Sequence, residues 1–295
     1  MTSKLRDTIA GKLSAAELAV FAGLRDRDLR AEGVVVAEGR LLAERLLAAA
    51  RRSAQGGMGG AGPAGGPPFV PPTSFEALGM LCVPALAEEF AGLAEGLCPL
   101  EVWPESELAV LAGFPFHRGV LAAARRGPLP RLADLGPCLG PDPDPQRAGL
   151  SRLVVLPAIA DPENMGAVFR SAAAMGWDAV LLGPACCDHL SRRALRASMG
   201  AALSLPAAAI GDTSALEALR AAGYDLAAAV LDRGARPLAG WAAPGRLALL
   251  IGNEYEGLGP EWLGGKVERL TIPMADGMDS LNAAAAAAIF LYCCR

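Results

Sequence analysis

Three stretches of this 295-residue chain join an apolar run to a polar loop rich in groups that can orient a substrate or hold a proton. The first runs Asp161-Pro162-Glu163-Asn164-Met165-Gly166-Ala167-Val168-Phe169-Arg170, and the second Gly252-Asn253-Glu254-Tyr255-Glu256-Gly257-Leu258. The third, residues 271–292, passes Gly277, Asp279, Ser280 and Asn282 before an alanine-rich segment that reads as a helix from about Leu281. A loop that opens into a helix leaves the first backbone N–H groups without partners, which suits a polar or anionic ligand. Each stretch also admits a purely structural account. Asn164 can cap a helix while Arg170 pairs on the surface, Glu254 can be a solvated residue on a glycine turn, and Asp279 or Ser280 can be an N-cap. Asn164 and Arg170 are six positions apart, nearly two helical turns, so the guanidinium shares a site with Asn164 only by reaching back.

The elements that must position these loops follow from the apolar pattern. Strands are expected at 153–156, 179–182, 224–231, 247–251 and 267–272, with helices near 164–175, 190–199 and 213–222. Uninterrupted apolar strands alternating with helices imply a parallel sheet covered on both faces, with ligands beyond the carboxyl ends of its strands. The loops after Leu156, Ile251 and Ile272 are therefore the places to look. The first half reads as a smaller α/β domain: a helix, a strand at 34–36, a helix at 39–52, then short strands at 80–83, 100–102 and 117–122 with helices near 84–93 and 105–112. Residues 53–73 are uncharged and rich in Gly and Pro. A GxGxxG pattern lies within them at 57–62, but it follows a helix and runs into Pro63, so it is assigned to a loop and not to a dinucleotide fingerprint. Residues 128–149, with Asp and Pro alternating from 141 to 145, read as a linker.

Composition narrows the class. An apolar share of 53% and mixed charges describe a globular protein with a large core. No apolar run reaches the length of about eighteen residues that a membrane span needs, and the N-terminal residues lack the apolar core of a signal peptide, so the expectation is a soluble, cytoplasmic protein. Seven scattered cysteines, including the adjacent pairs Cys186-Cys187 and Cys293-Cys294, point to free thiols. Cys186, Cys187, Asp188 and His189 are merely consecutive, and without ligand spacing no metal is expected there. Net charge is −4, which argues against non-specific coating of nucleic acid. Local clusters at Arg118, Arg125 and Arg126, and at Arg192, Arg193 and Arg196, still allow a phosphate-binding face, as they allow ordinary solvated surfaces.

Taken together the three loops resemble the SpoU (TrmH-like) family of RNA ribose 2′-O-methyltransferases, within the SPOUT superfamily. The matching stretches are DPENMGAVFRSAAAMG, LLIGNEYEGL and IPMADGMDSLNAAAAAAIFLY, in that order, with RASMGAALSLP between the first two. The run Asn282-Ala283-Ala284 stands where the family more usually has Asn-Val-Ser. The resemblance implies a SPOUT methyltransferase domain at 150–295, with a parallel sheet and a deep trefoil knot that holds S-adenosylmethionine without a metal. It implies cofactor contacts at Leu231, Ile251, Gly252, Asn253, Gly257, Ile272, Met274, Leu281 and Asn282, and catalytic roles for Asn164, Arg170, Glu254, Ser280 and Asn282. Residues 1–127 resemble, more weakly, the L30e-like substrate-binding domain that precedes the catalytic domain in many members, with 53–73 as an insertion. RNA contacts are expected at Arg118, Arg125, Arg126 and Arg170, an rRNA or tRNA as substrate, and a homodimer through the knotted region. In the family Arg170 is proposed to relieve the ribose hydroxyl of its proton. A guanidinium is very rarely deprotonated, so a phosphate clamp that also hydrogen-bonds the nucleophile is the preferred role. The competing functions are a non-catalytic RNA-binding or ribosome-associated module of the same fold and a methyltransferase with a non-RNA substrate.

Overall fold

The computed structural model describes residues 7–8, 12–23, 25–55, 73–113, 116–132, 151–232, 234–275 and 280–295. Most of the Gly/Pro-rich stretch, the linker from 133 onward, and Gly277 and Asp279 lie outside the described residues. Two compact units emerge. One takes the described residues within Met1–Gly57, Thr73–Pro128 and Leu190–Ser204, and the other those within Leu129–His189 and Leu205–Arg295.

The first unit is built on β1 (Asp7–Thr8), α1 (Ala15–Ala19), α2 (Asp26–Ala31), β2 (Val34–Glu38), α3 (Arg40–Ala54), β3 (Phe75–Cys82), α4 (Ala87–Ala94), β4 (Leu100–Val102), α5 (Glu105–Ala112) and β5 (Val120–Arg126). Its five-stranded sheet has the order β1-β4-β3-β5-β2. It is mixed: β3 is parallel to β4 but antiparallel to β5, which is in turn antiparallel to β2. Val34, Val35 and Val36 are β-branched and fully buried although β2 stands at the edge of the sheet. On α3 the buried residues Leu42, Ala43, Leu46, Leu47, Ala49 and Ala50 fall on one stripe that covers the sheet. The turn from β2 into α3 passes through Gly39 at φ +89°, a conformation side chains resist. Phe21, Leu29, Trp103, Leu108, Phe116 and Leu121 fill a second cluster. Inside it Glu101 is buried yet satisfied, accepting from the Leu13 N–H at 2.7 Å and the Trp103 indole N–H at 2.8 Å.

One segment departs from the order of the sequence. Residues Leu190–Ser204, which contain α7 (Arg192–Ala197) and lie beyond the expected boundary at 150, group with the first unit. Electrostatics supply the reason: the nearly inaccessible Glu38 carboxylate meets Arg192 Nη1 at 3.0 Å and Arg196 Nη1 at 3.4 Å, and Arg192 also lies 3.5 Å from Asp26.

The second unit contains β6 (Ser151–Leu156), α6 (Pro162–Ala174), β7 (Ala179–Leu182), β8 (Ala207–Ala209), α8 (Ser214–Ala221), β9 (Asp225–Ala229), β10 (Arg236–Pro237), β11 (Arg246–Leu250), β12 (Val267–Thr271) and α9 (Ala283–Cys293). All neighbours in its seven-stranded sheet run parallel, in the order β10-β12-β9-β11-β6-β7-β8. Leu153, Val155, Leu181, Leu226 and Leu250 pack on α8 and Trp262. Alternation sends Val154, Leu156 and Val180 to the opposite face, where α6 and α9 pack side by side. Strands β8 and β10 escaped the sequence reading. An alanine triplet has little strand propensity, but that scale spans only about 1 kcal/mol, and parallel pairing with β7 overrides it.

From β6 the chain builds outward through β7 to β8, then returns to the other side of β6, where the remaining strands stand in the spatial order β11, β9, β12, β10 outward from it. The reversal falls between β6 and β11, bonded there by Ile251 N–H to the Val155 carbonyl at 2.9 Å. In open parallel sheets such a reversal leaves a crevice where ligands sit.

Candidate active site

The loop after β6 ends in Asp161, whose Oδ2 accepts the Asn164 backbone N–H at 3.0 Å, with Pro162 opening the helix behind it. Asp161 is therefore the cap of α6, and Asn164 sits inside the first turn with its amide free for other work. The pairing of Asp with a following Pro was the available signal, because proline at the first helical position lacks the N–H that would go unpaired anyway. At the far end of the unit α9 starts at Asn282, whose Oδ1 accepts the N–H groups of Ala284 at 2.9 Å and Ala285 at 3.2 Å. The cap is thus neither Asp279, which lies outside the described residues, nor Ser280, which is exposed.

These two caps determine the site. With its oxygen committed to the helix, Asn282 must turn Nδ2 outward, and it donates to Asn164 Oδ1 at 3.1 Å. Asn164 is then obliged to present Nδ2 on its other side, where it donates to Glu254 Oε1. A carboxylate oxygen is the acceptor that completes the order, so the amide orientations follow from the network. Asn164 is nearly inaccessible, which raises the cost of breaking either bond.

Glu254 is held by a closed turn. Asn253 and Gly257 exchange both backbone hydrogen bonds at 3.2 Å, while Asn253 Oδ1 accepts the N–H of Tyr255 at 2.9 Å and of Glu256 at 2.7 Å. Gly252 makes the closure possible: a Cβ there would lie 2.2 Å from the Gly257 carbonyl carbon. The side-chain oxygen of Asn253, a residue expected at the cofactor, is committed to this turn, which leaves its side-chain amide N–H groups and the exposed turn around it for that contact.

Arg170 is exposed on α6 and has no hydrogen-bond or ion-pair partner among the described residues. Leu231 and Leu281 are exposed apolar side chains, Ile272 and Met274 are half-buried, and Ile251 is buried. They follow β9, β11 and β12 or precede α9, at the carboxyl ends of the strands. Within the first unit Arg118 stands apart from the other two arginines expected to contact RNA, Arg125 and Arg126. Val120 pairs with the Gly39 end of β2 and Arg125 with the Val34 end, so Arg118 lies toward one end of β5 and Arg125 and Arg126 toward the other. Arg125 is 3.9 Å from Glu76.

The Cys186–His189 segment is occupied with packing. Cys186 donates to the Leu156 carbonyl at 3.1 Å and His189 stacks on Phe169 with ring centroids 5.3 Å apart. Burial pushes the Cys187 thiol up to about 12, with Cys186 and Asp188 adding to the effect, and burial also raises Cys186. Thiols held neutral are poor ligands. Among the described residues no group of three or more His, Cys, Asp or Glu could hold a metal ion.

The family model described as the SpoU rRNA Methylase family matches residues 151–292, the span that carries all three loops. A 23S rRNA (guanosine-2′-O-)-methyltransferase of Acinetobacter baylyi is 32% identical over 191 residues, covering 64% of this chain and 75% of the relative. This chain belongs to the SpoU family. An uncharacterised tRNA/rRNA methyltransferase of Mycobacterium bovis is 41% identical over 189 residues, 63% of this chain and 62% of that family member, so the match spans less than two thirds of its length. The fold is also that of a solved structure, an AdoMet-bound rRNA methyltransferase from Sinorhizobium meliloti, with a TM-score of 0.71 at 22% identity over 96% of each chain.

Proposed function

We propose that this chain transfers a methyl group from S-adenosylmethionine to a ribose 2′-hydroxyl of an rRNA or tRNA. The observation that carries the reading is the hydrogen-bonded series Glu254–Asn164–Asn282, which joins one residue from each of the three loops at the reversal of strand order. A module that had kept the fold without the activity would have no need of this network.

The residues fit the cofactor. Exposed Leu231 and Leu281 with half-buried Ile272 and Met274 offer apolar surface for a purine and a thioether at the ends of the strands, and the Gly252 turn brings backbone groups close. When bound, S-adenosylmethionine supplies an electrophilic methyl group on a sulfonium, and such a transfer requires no metal. The protein's part is to hold the hydroxyl in line at close range. Arg170 lies about 9 Å along α6 from Asn164, six residues at ~1.5 Å each, and its side chain leans back toward the helix start. Exposed, and without a partner among the described residues, it is free to clamp a phosphate and hydrogen-bond the ribose hydroxyl, with Ser280 and Asn282 lining the opposite loop.

Residues 1–127 act in this reading as an L30e-like RNA-binding domain that uses Arg118, Arg125 and Arg126, and residues 128–149 as its linker to the methyltransferase domain at 150–295. The loops after β9, β11 and β12 form the deep trefoil knot. Support comes from the strand order, in which β11 is inserted between β9 and β6 before the chain returns from β12 to an α9 that packs on α6. The chain works as a homodimer in the cytoplasm. Ala285, Ile289 and Tyr292 form an apolar stripe on the open side of α9 that a second copy would cover. Among the described residues no helix is long and apolar enough to cross a membrane.

The test is incubation with labelled S-adenosylmethionine and total RNA, followed by nucleoside mass spectrometry. A 2′-O-methylated nucleoside that disappears with Asn164→Ala supports the reading, and label on bases or on protein alone overturns it. Retention of most activity by Arg170→Lys, with RNA binding intact, would remove both roles considered for that residue.

A further inference from the structure

Helix α9 opens with six consecutive alanines, Ala283 to Ala288. A rotation of about 100° or a slide of ~1.5 Å exchanges one methyl group for another in such a run. The alanines therefore specify the setting of the helix only weakly, and with it the place of Asn282. Specificity is concentrated in the last turn. The buried side chains of that region other than alanine are Phe290, Leu291 and Cys294. The carbonyls there have no intrahelical donors, and two side chains of the same unit take them. The indole N–H of Trp177 donates to the Leu291 carbonyl at 3.1 Å, and Nε of Arg152 donates to the Cys294 carbonyl at 2.6 Å. Both donors are buried, and both are themselves fixed. Arg152 Nη1 donates to the carbonyls of Ser151 and Gly245, and the Trp177 backbone N–H donates to Ala172.

Trp177 follows the last turn of α6, whose first turn carries Asn164. The two helices thus run side by side in the same direction and are pinned at both ends, by Asn164–Asn282 at one and Trp177–Leu291 at the other. We propose that Trp177 and Arg152 are positioning residues for methyl transfer: by holding the terminal carbonyls of α9 they set the register of an otherwise degenerate helix and so place Asn282 against Asn164. The catalytic consequence rests on the function proposed above; the register itself does not.

Trp177→Phe keeps most of the bulk and removes the donor, whereas Arg152→Lys keeps the charge and removes the fork. Either variant should lower kcat by about tenfold, as a small misplacement of a substrate-holding group does, with KM for S-adenosylmethionine and RNA within about twofold of the parent. Only three asparagines occur in the chain, Asn164, Asn253 and Asn282, so selective 15N-asparagine labelling resolves the side chain concerned. Asn282 lies about 14 Å along the helix from Leu291, nine residues at ~1.5 Å each, beyond direct contact with Trp177. In Trp177→Phe the Asn282 amide resonance should nevertheless move, and the Ala284 and Ala285 N–H groups that it caps should exchange faster. A folded Trp177→Phe protein with unmoved Asn282 signals overturns the proposal, whether or not kcat falls. A parent protein that methylates no RNA defeats the functional reading alone, since the amide signals still report the register.

Discussion

Asn282 donates to Asn164 at 3.1 Å across a sequence separation of 118 positions. The Asn164 amide in turn spends its donor on Glu254, so the middle residue must be an amide and cannot be a carboxylate. Asn164→Asp would keep the acceptor for Asn282 and set two carboxylates against each other. One of them would then hold a proton to a higher pH than usual. Methyl transfer should fall by about a hundredfold at pH 8 and recover in part on acidification, as a shared proton restores the hydrogen bond. The pH–rate profiles of variant and parent decide this, and parallel profiles would show that Glu254 does not matter to the Asn164 side chain.

Gly252→Ala tests the closed turn. Its methyl group would meet backbone, the Gly257 carbonyl carbon at 2.2 Å, and backbone cannot swing aside as a flexible side chain can. The expected loss is about 1–3 kcal/mol, the usual range for overpacking, with weaker S-adenosylmethionine binding because Glu254 and the turn move together. Calorimetric melting and titration with the cofactor report both effects. An unchanged Tm would mean that the turn opens without cost.

Glu38 makes the corresponding test in the first unit. Its buried carboxylate lies between Arg192 and Arg196, so Glu38→Ala leaves two guanidinium groups facing each other. The expected cost is about 2–3 kcal/mol, less than for a fully buried pair because Arg196 is partly exposed. Urea unfolding should show it, together with faster backbone exchange across residues 190–204. A loss confined to β2 would mean that the arginines do not hold that segment.

The cysteines give a pH signature. Burial pushes Cys82 and Cys98 up to about 11 and Cys187 and Cys294 up to about 12. In the unfolded chain these thiols titrate near 8.5. A folded-state value above the unfolded one contributes stability that is fully present below the unfolded pKa and is lost as pH rises toward the folded one. Stability should therefore decline from about pH 8.5 upward. At pH 8 a maleimide should label the exposed Cys293 first and the half-buried Cys187 more slowly, while the buried Cys82, Cys98 and Cys294 react only on unfolding. Peptide mass spectrometry after timed labelling checks the order.

Much of the second unit was legible because its strands are buried on both faces and read as plain apolar runs. The strands β6, β7 and β11 declare themselves in this way, whereas β12 carries the exposed Glu268 and Arg269 between buried Val267 and Leu270. Residues 207–209 and 236–237 carry no such signal, since their pairing partners and not their own propensities make them strands.

The sequence by itself determined which residue types stand at the ends of the strands, because local apolar period, glycine spacing and polar punctuation are all written in neighbouring positions. Only the tertiary structure decided that Asp161 and Asn282 are the caps, that the amide of Asn164 is consequently free to join Glu254 to Asn282, and that Arg192 and Arg196 close on Glu38. Each of these depends on hydrogen bonds or ion pairs whose partners are chosen by packing. A linear pattern names the groups that need partners, but burial and distance select among them.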